Sequence, residues 1–269
     1  MKLRKHFHDP IFVRTSRGME PTPHGSNLIR LLATAEDMLQ EALSHYVAFH
    51  PPASNRVFHL CCGEAEQLTL MPRLIRRLRE MAPAVRIDAG LIVSDTPRQL
   101  ESGAADVAVG SLQPMGAGFC HESLFAERLV CATRRHHPRV RGRLTVEEFQ
   151  NETHLTIASL EIVPQIIEAA LEANGIRRKV GLTLPSFLEI GSIVAATDFL
   201  VILPESVASH VADADDLQIL ALPFPLPVYD IRQHWHERYT RDPAVRWLRG
   251  VIAELFAEQA SGRSDHRAG

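Results

Sequence analysis

No run of about 18 consecutive uncharged apolar residues occurs in the chain, so nothing in it reads as a membrane-spanning helix. The opening stretch, Met1 to Pro10, is charged but has neither an apolar segment of signal-peptide length nor a small-residue cleavage site, which argues against export. Cysteine is scarce. Four in 269 residues, two of them adjacent as Cys61-Cys62, make no disulfide framework and no CxxC metal knuckle, and a reducing cytoplasm is expected. An excess of basic charge is missing too: 29 Lys and Arg against 32 Asp and Glu leave a net charge of −3, so any contact with DNA must be local. There is no GxGxxG, no GxxxxGK(S/T), and no nucleophile, base and orienting group at a motif spacing. Neither an enzyme nor a nucleotide cofactor is expected. What remains is a globular chain, 45% hydrophobic and 23% charged, long enough for two compact lobes.

Charge is uneven, with Lys2, Arg4, Lys5, Arg14 and Arg17 crowding the start against Asp9 alone. Ile11 to Thr22 reads as a small hairpin with a glycine turn, opening through Thr22-Pro23 into a helix. From Pro23 to about Phe49 nothing breaks that helix. Leu28, Leu32, Ala35, Leu39, Ala42 and Tyr46 alternate at steps of four and three, which draws a coiled-coil seam or, equally, the buried face of an ordinary helix. Pro51-Pro52 ends it. Strand and helix then alternate: strands at 57–62, 85–93 and 105–110, helices at 67–81 and 96–101. Met71, Leu74, Ile75 and Leu78 form the inward face of the first helix. A second series has helices at 145–149, 164–173 and 187–196 between strands at 154–158, 179–184 and 199–203, before a strand at 228–235 and a helix at 243–258 capped by Asp242. Such alternation predicts parallel sheets wrapped by helices.

Three motifs in this order carry a resemblance. Phe7-x-Asp9-Pro10-Ile11-Phe12-Val13-Arg14-x-x-Arg17-Gly18-Met19-x-Pro21-Thr22 is similar to the end of the recognition helix, the wing and the linker-helix start of the LysR-type transcriptional regulators. Leu70-Met71-Pro72-Arg73-Leu74, Ala82-Pro83-x-Val85 and Leu100-x-Ser102-Gly103-x-x-Asp106-Val107-Ala108-Val109-Gly110 resemble the first regulatory subdomain of that family. His234-Trp235-His236-x-x-Tyr239-x-x-Asp242-Pro243-x-x-x-Trp247-Leu248-Arg249 resembles its closing strand and helix in the subgroup containing the naphthalene/salicylate and nodulation regulators. The resemblance implies an α/β fold of two Rossmann-like subdomains of periplasmic-binding-protein type, preceded by a long linker helix and the remnant of a winged helix-turn-helix. The implied division is 1–24 for the remnant, 25–52 for the dimerisation helix, 56–132 with 228–260 for subdomain I, 133–227 for subdomain II and 261–269 for a disordered tail.

The resemblance implies DNA-binding regulation by a small organic acid of the aromatic class, with a homodimer or homotetramer formed through the linker helix. In the family a complete helix-turn-helix precedes the wing, and Met1 stands near the end of the corresponding recognition helix. The expectation is therefore of compromised base reading, with Lys2, Arg4, Lys5, Arg14 and Arg17 left for phosphate contacts. An effector-binding protein without sequence-specific DNA binding, acting as a ligand sink or a dominant-negative subunit, is the alternative. Ligands in open α/β sheets settle at strand carboxyl ends beside helix N-termini. That rule selects Gly63, Glu64, Ser159 and Leu160 as amide donors to an acid, with Ser111, Ser186, Phe187 and His234 as lining. Ser186 is equally a helix cap and Phe187 equally core. His234 and His236 share a strand face without a third metal ligand, so no metal is expected. His136-His137 beside Pro138 reads as a solvated turn, and Cys62 as a buried, inert thiol.

Overall fold

The computed structural model describes residues 2–44, 49–158, 162–212 and 216–265, with side chains described for 3–39, 49–158, 162–212 and 216–257. The chain divides into two compact units, Met1–Ala48 and Phe49–Gly269.

The first unit contains α1 (Lys2–His6), the hairpin β1 (Phe12–Thr15) with β2 (Gly18–Pro21), and α2 (Pro23–Ser44). One carboxylate organises the entry to α2. Asp9 accepts from the Ile11 amide at 2.6 Å and from the Thr22 hydroxyl at 2.7 Å, and these two bonds, the hydroxyl's first, hold its pKa below the usual carboxylate value. The Thr22 hydroxyl in turn accepts from the Gly25 amide at 2.9 Å and caps the helix. Ile11 sits at φ 67, and its carbonyl lies so close to Gly25 that any Cβ there would collide with it. The expected seam on α2 is bare within this unit: Leu32 and Leu39 are 57% and 64% exposed, Ala35 is exposed, and Leu28 is half-buried. The Ala42 side chain and Tyr46 lie outside the described residues.

The second unit holds two mixed five-stranded sheets. After a 3-10 turn at Pro51–Ala53 come β3 (Val57–Cys62), α3 (Glu64–Thr69), α4 (Met71–Met81), β4 (Arg86–Leu91), α5 (Thr96–Ser102), β5 (Val107–Gly110), β6 (Phe119–Glu127) and β7 (Leu129–Arg134). There follow α6 (Val146–Asn151), β8 (Thr153–Ile157), α7 (Val163–Ala173), β9 (Lys179–Leu184), α8 (Ile190–Ala195), β10 (Leu200–Pro204), α9 (Glu205–Ala212), β11 (Leu217–Leu220), β12 (Tyr229–His236) and α10 (Pro243–Asp265). The first sheet runs β4-β3-β5-β12-β6 and the second β11-β7-β10-β8-β9. The expectation of parallel sheets is thus only partly met. Strands β3, β4 and β5 are parallel, as are β8, β9 and β10, but β12 lies antiparallel between β5 and β6, and β7 is antiparallel to β10 and β11.

The antiparallel members follow from the chain crossing twice between lobes, at Arg128 and again before Tyr229, so each sheet receives a strand running against its neighbours. The crossing at Arg128 places β7 wholly in the second sheet, where the division by resemblance kept residues up to 132 in the first. Bonds of Arg128 to Glu205 at 2.8 and 3.2 Å, and of the Glu205 amide to the Arg128 carbonyl at 2.8 Å, fasten the crossing to the start of α9.

Local chemistry sets the boundaries. Helix α6 has a capping box, with the Thr145 hydroxyl accepting from the Glu148 amide at 3.2 Å and the Glu148 carboxylate accepting from the Thr145 amide at 2.8 Å. Helix α5 stops at Gly103, which supplies φ 82. Asp242 accepts from the Ala244 and Val245 amides at 2.9 Å and caps α10, which continues to Asp265 where a tail from Ser261 was expected; no proline intervenes to stop it. The expected 67–81 helix is two helices meeting at Leu70, and Ile75, expected inward, is 39% exposed. His137 overturns the reading of a solvated turn. It is fully buried, its Nδ1 accepting from the Arg139 and Val140 amides at 3.2 and 3.0 Å while Nε2 donates to the Asp198 carbonyl at 3.1 Å. Two amides on one nitrogen fold the turn inward around the ring.

His154, on β8, is buried against Phe149 with ring centroids 4.3 Å apart and donates Nε2–H to the Phe149 carbonyl at 2.6 Å. Burial above all pushes its pKa down to about 4, so the native ring is neutral. The unfolded chain binds a proton below about 6.5. His154 therefore leaves stability undiminished above that value and lowers it as pH falls towards 4, by no more than about 1.4 kcal/mol for each unit between the two values. His154→Gln, which keeps a donor for Phe149, is expected to lose less melting temperature than the parent between about pH 7 and about pH 5. Equal losses by circular dichroism would refute this account.

Candidate functional site

The two lobes meet at α3. Gly63 ends β3 by donating its amide to the Val109 carbonyl at 2.9 Å, and the next residues turn at once into the helix. Ala65 is buried among Ala132, Val207, Ala208 and other core residues of the second lobe, Leu68 packs against the same cluster, and α3 lies along α9. Glu64, one position before Ala65, accepts from the Phe187 amide at 3.1 Å, a hydrogen bond from one lobe to the other. Desolvation raises the Glu64 pKa, and the Phe187 amide works against that rise.

Beside this bond lies a cavity of about 190 Å³, walled by Ala65 and Glu66 of α3, Val163 and Ile167 of α7, Phe187, and Tyr229 and Ile231 of β12. The lining is largely apolar; its polar members are the carboxylates of Glu66 and Glu168, Tyr229, and three groups able to donate to an acid, Arg178, Thr156 and Thr183. Arg178, only 11% exposed at its side chain, pairs with Glu168 of α7 and contributes to the wall. Thr156 and Thr183, paired through their hydroxyls at 3.1 Å across β8 and β9, stand at the carboxyl ends of these strands. A cavity of about 150 Å³ holds a benzene ring, so this one has room for a single ring with a small substituent.

A second, larger cavity of about 470 Å³ lies on the other side of Tyr229. Ser111 from the loop after β5, His121 of β6, and Arg232 and His234 of β12 form its polar part, and Met115, Phe119 and Ile166 its apolar part. His234 stands opposite His121 in the strand ladder, with ring centroids 5.8 Å apart. Burial, then the positive charge that His121 and Arg232 can carry, push the His234 pKa down to about 4.

The residues selected from the sequence thus fall into two places. Glu64 bonds Phe187, which lines the smaller cavity, though Glu64 itself is not in its wall; Ser111 and His234 both line the larger one. The Gly63 amide is already bonded within its sheet and is not a donor to a ligand. Glu64 and Glu66 occupy the first turn of α3 and place carboxylates where an acid was expected. Ser186 accepts from the Leu188 amide at 3.3 Å in a turn, and α8 begins only at Ile190, so Ser186 is not its cap. Ser159 and Leu160 lie outside the described residues. Cys62 is buried. Of the basic residues, Arg4 and Lys5 on α1, Arg14 on β1 and Arg17 in the hairpin turn are exposed, and the Lys2 side chain is not among those described.

Arg178 escaped the sequence reading because it sits in the run Arg177-Arg178-Lys179, which looks like a solvated surface. Its pairing with Glu168 of α7, just before β9 begins, turns one of the three inward. Arg232 and His121 had no signal beyond alternation on their strands.

A family model described as the LysR substrate binding domain matches residues 53–257. The chain is 34% identical over 262 residues to the HTH-type transcriptional activator NagR of a Ralstonia species, covering 96% of this chain and 86% of the relative. It is also 34% identical over 258 residues to the HTH-type transcriptional activator NahR of Pseudomonas putida, with the same two coverages. Among solved structures, the probable transcriptional regulator PA0477 from Pseudomonas aeruginosa is similar at a TM-score of 0.68 and 29% identity, over 93% of this chain and 84% of that one.

The Glu64 to Phe187 bond has a direct test. Glu64→Gln keeps an oxygen acceptor and removes the desolvated charge, so its melting temperature near pH 7 should equal or exceed the parent's. Glu64→Ala leaves the Phe187 amide without its acceptor and should lose about 1 kcal/mol by urea denaturation. A glutamine variant less stable than the alanine variant would contradict the assignment.

Proposed function

The chain belongs to the LysR-type transcriptional regulators, and from this premise we propose that its effector is a single-ring aromatic carboxylate seated in the 190 Å³ cavity at the lobe junction. The observation that carries the reading is the composition of that wall. A nearly buried guanidinium, Arg178, and two hydroxyls, Thr156 and Thr183, face a slot large enough for one ring whose remaining wall is apolar apart from Glu66, Glu168 and Tyr229. In this reading the carboxylate displaces or shares Glu168 on Arg178, and the ring packs on Phe187, Val163 and Ile167. Arg178 thereby takes the role that reasoning from helix N-termini gave to backbone amides.

Regulation follows from where the cavity lies. Its walls come from α3 on one lobe and from α7, β8 and β9 on the other, so a ligand filling it favours one spacing of the lobes over another. The Glu64 to Phe187 bond spans the same junction, and a ligand against Phe187 shifts the segment that holds it. Output requires a paired assembly. The exposed stripe of Leu32, Ala35 and Leu39 on α2 has the spacing of a seam between two copies. To the exposed Arg4, Lys5, Arg14 and Arg17 this reading gives phosphate contacts, which supply affinity without base choice.

Two measurements test this. Benzoate, titrated calorimetrically against the protein, should bind Arg178→Gln at least about tenfold more weakly than the parent, the scale of a lost charge-assisted hydrogen bond. Unchanged benzoate affinity in Arg178→Gln would overturn the assignment. Leu32→Glu with Leu39→Glu should lower the molar mass by light scattering towards that of one chain, because like charges replace the apolar seam. An unchanged mass would place the pairing surface elsewhere.

A further inference from the structure

Glu66 has no part in the reading above, yet it stands in the wall of the same cavity. It is 3% exposed and comes from α3 of the first lobe, whereas Arg178, Glu168, Thr156 and Thr183 all come from the second. Topology sets the two ends of the cavity apart. Helix α7 starts at Val163, soon after the carboxyl end of β8, and Glu168 lies five residues, about 7.5 Å of helix rise, further along it. Arg178, paired with Glu168, precedes β9, while Phe187 follows β9 and is bonded to Glu64 of α3. The guanidinium is therefore at one end of the cavity and α3, with Glu66, at the other.

A buried carboxylate that faces a cavity is solvated through it, and a ring filling that space removes the solvation. Unless the ligand returns a hydrogen bond, the charge is left short of donors on that side. Glu66 has contacts of its own, but a carboxylate offers about four acceptor positions, so it can take a further donor.

We propose that Glu66 determines the specificity of the smaller cavity, selecting single-ring acids that carry a neutral hydrogen-bond donor opposite the carboxylate. This inference rests on the reading that seats the acid on Arg178. The ligand's carboxylate meets Arg178, its donor meets Glu66, and the ring lies between them. A second anionic group in the donor's place faces Glu66 as like charge to like charge, so ring dicarboxylates are rejected. Because Glu66 and Arg178 belong to different lobes, a ligand bearing both groups ties the lobes together, whereas benzoate holds one end only.

The test is calorimetry on the whole chain near pH 7 with 4-aminobenzoate and 4-methylbenzoate, acids of nearly equal size that differ in the donor. The parent should bind 4-aminobenzoate at least about tenfold more tightly, the scale of one hydrogen bond to a charged group. In Glu66→Leu that preference should fall below about twofold, and in Glu66→Gln, which keeps an oxygen acceptor, it should lie between. Terephthalate should bind the parent more weakly than 4-methylbenzoate does, and Glu66→Gln should narrow the gap. Equal affinities of the parent for the amino and methyl acids overturn the proposal without recourse to any variant. So does a preference undiminished in Glu66→Leu, or terephthalate bound by the parent as tightly as 4-methylbenzoate. Unchanged affinity for 4-methylbenzoate in Arg178→Gln removes the seat of the carboxylate and both readings with it. An Arg178 effect without the amino preference removes the role of Glu66 alone.

Discussion

The insertion of Ala65 and Leu68 from α3 into the core of the second lobe is the contact on which the rest of the sensor depends. A helix of six residues has little stability of its own and is held by packing. It starts directly after Gly63, whose amide is tied to β5, so the position of the helix is fixed by the first sheet while its apolar face is buried in the second lobe. The Glu64 carboxylate on the Phe187 amide adds a polar bond at the same seam, made by a group that burial discourages from ionising.

Charge inside the lobes is arranged on the same principle at both cavities. In each an arginine is paired with a carboxylate of its own lobe, Arg178 with Glu168 and Arg232 with Asp230, and the pair is set against an apolar wall. For Arg178, mostly enclosed, the pairing lowers the cost of burying a cation. An acid seated on Arg178, as proposed, would compete with the resident Glu168, so the apolar body of the ligand would have to supply the difference. The two pairs differ in burial: the Arg178 side chain is mostly enclosed, whereas that of Arg232 reaches solvent.

The N-terminal unit is governed by local bonds rather than by a core. Asp9, Ile11, Thr22 and Gly25 form one chain of hydrogen bonds and close packing that fixes where α2 begins, and the first three belong to the motif that carries the resemblance. Beyond that entry the helix displays leucine to solvent, a face whose spacing suits a second helix.

Most of the architecture was legible from periodicity and punctuation. The strands at 57–62 and 179–184 fall where alternation put them, Asp242 caps the last helix, and the three motifs identified the family. Strands β6, β7 and β11 and helix α9 were missed. The residues of β6, with Glu122, Ser123 and Glu127 among His121, Leu124 and Phe125, carry no clean alternation because the strand lies at a sheet edge and bulges near Ser123. Which charged residue turns inward was not legible at all. His137, Arg178 and Arg232 look like surface residues in the sequence, and their environments come from strands and helices far apart along the chain. Residue type and spacing determined the elements and the family, because both are local properties of the chain. The positions of the cavities and the partners of their charges were decided only when two crossing segments brought separate lobes against one short helix.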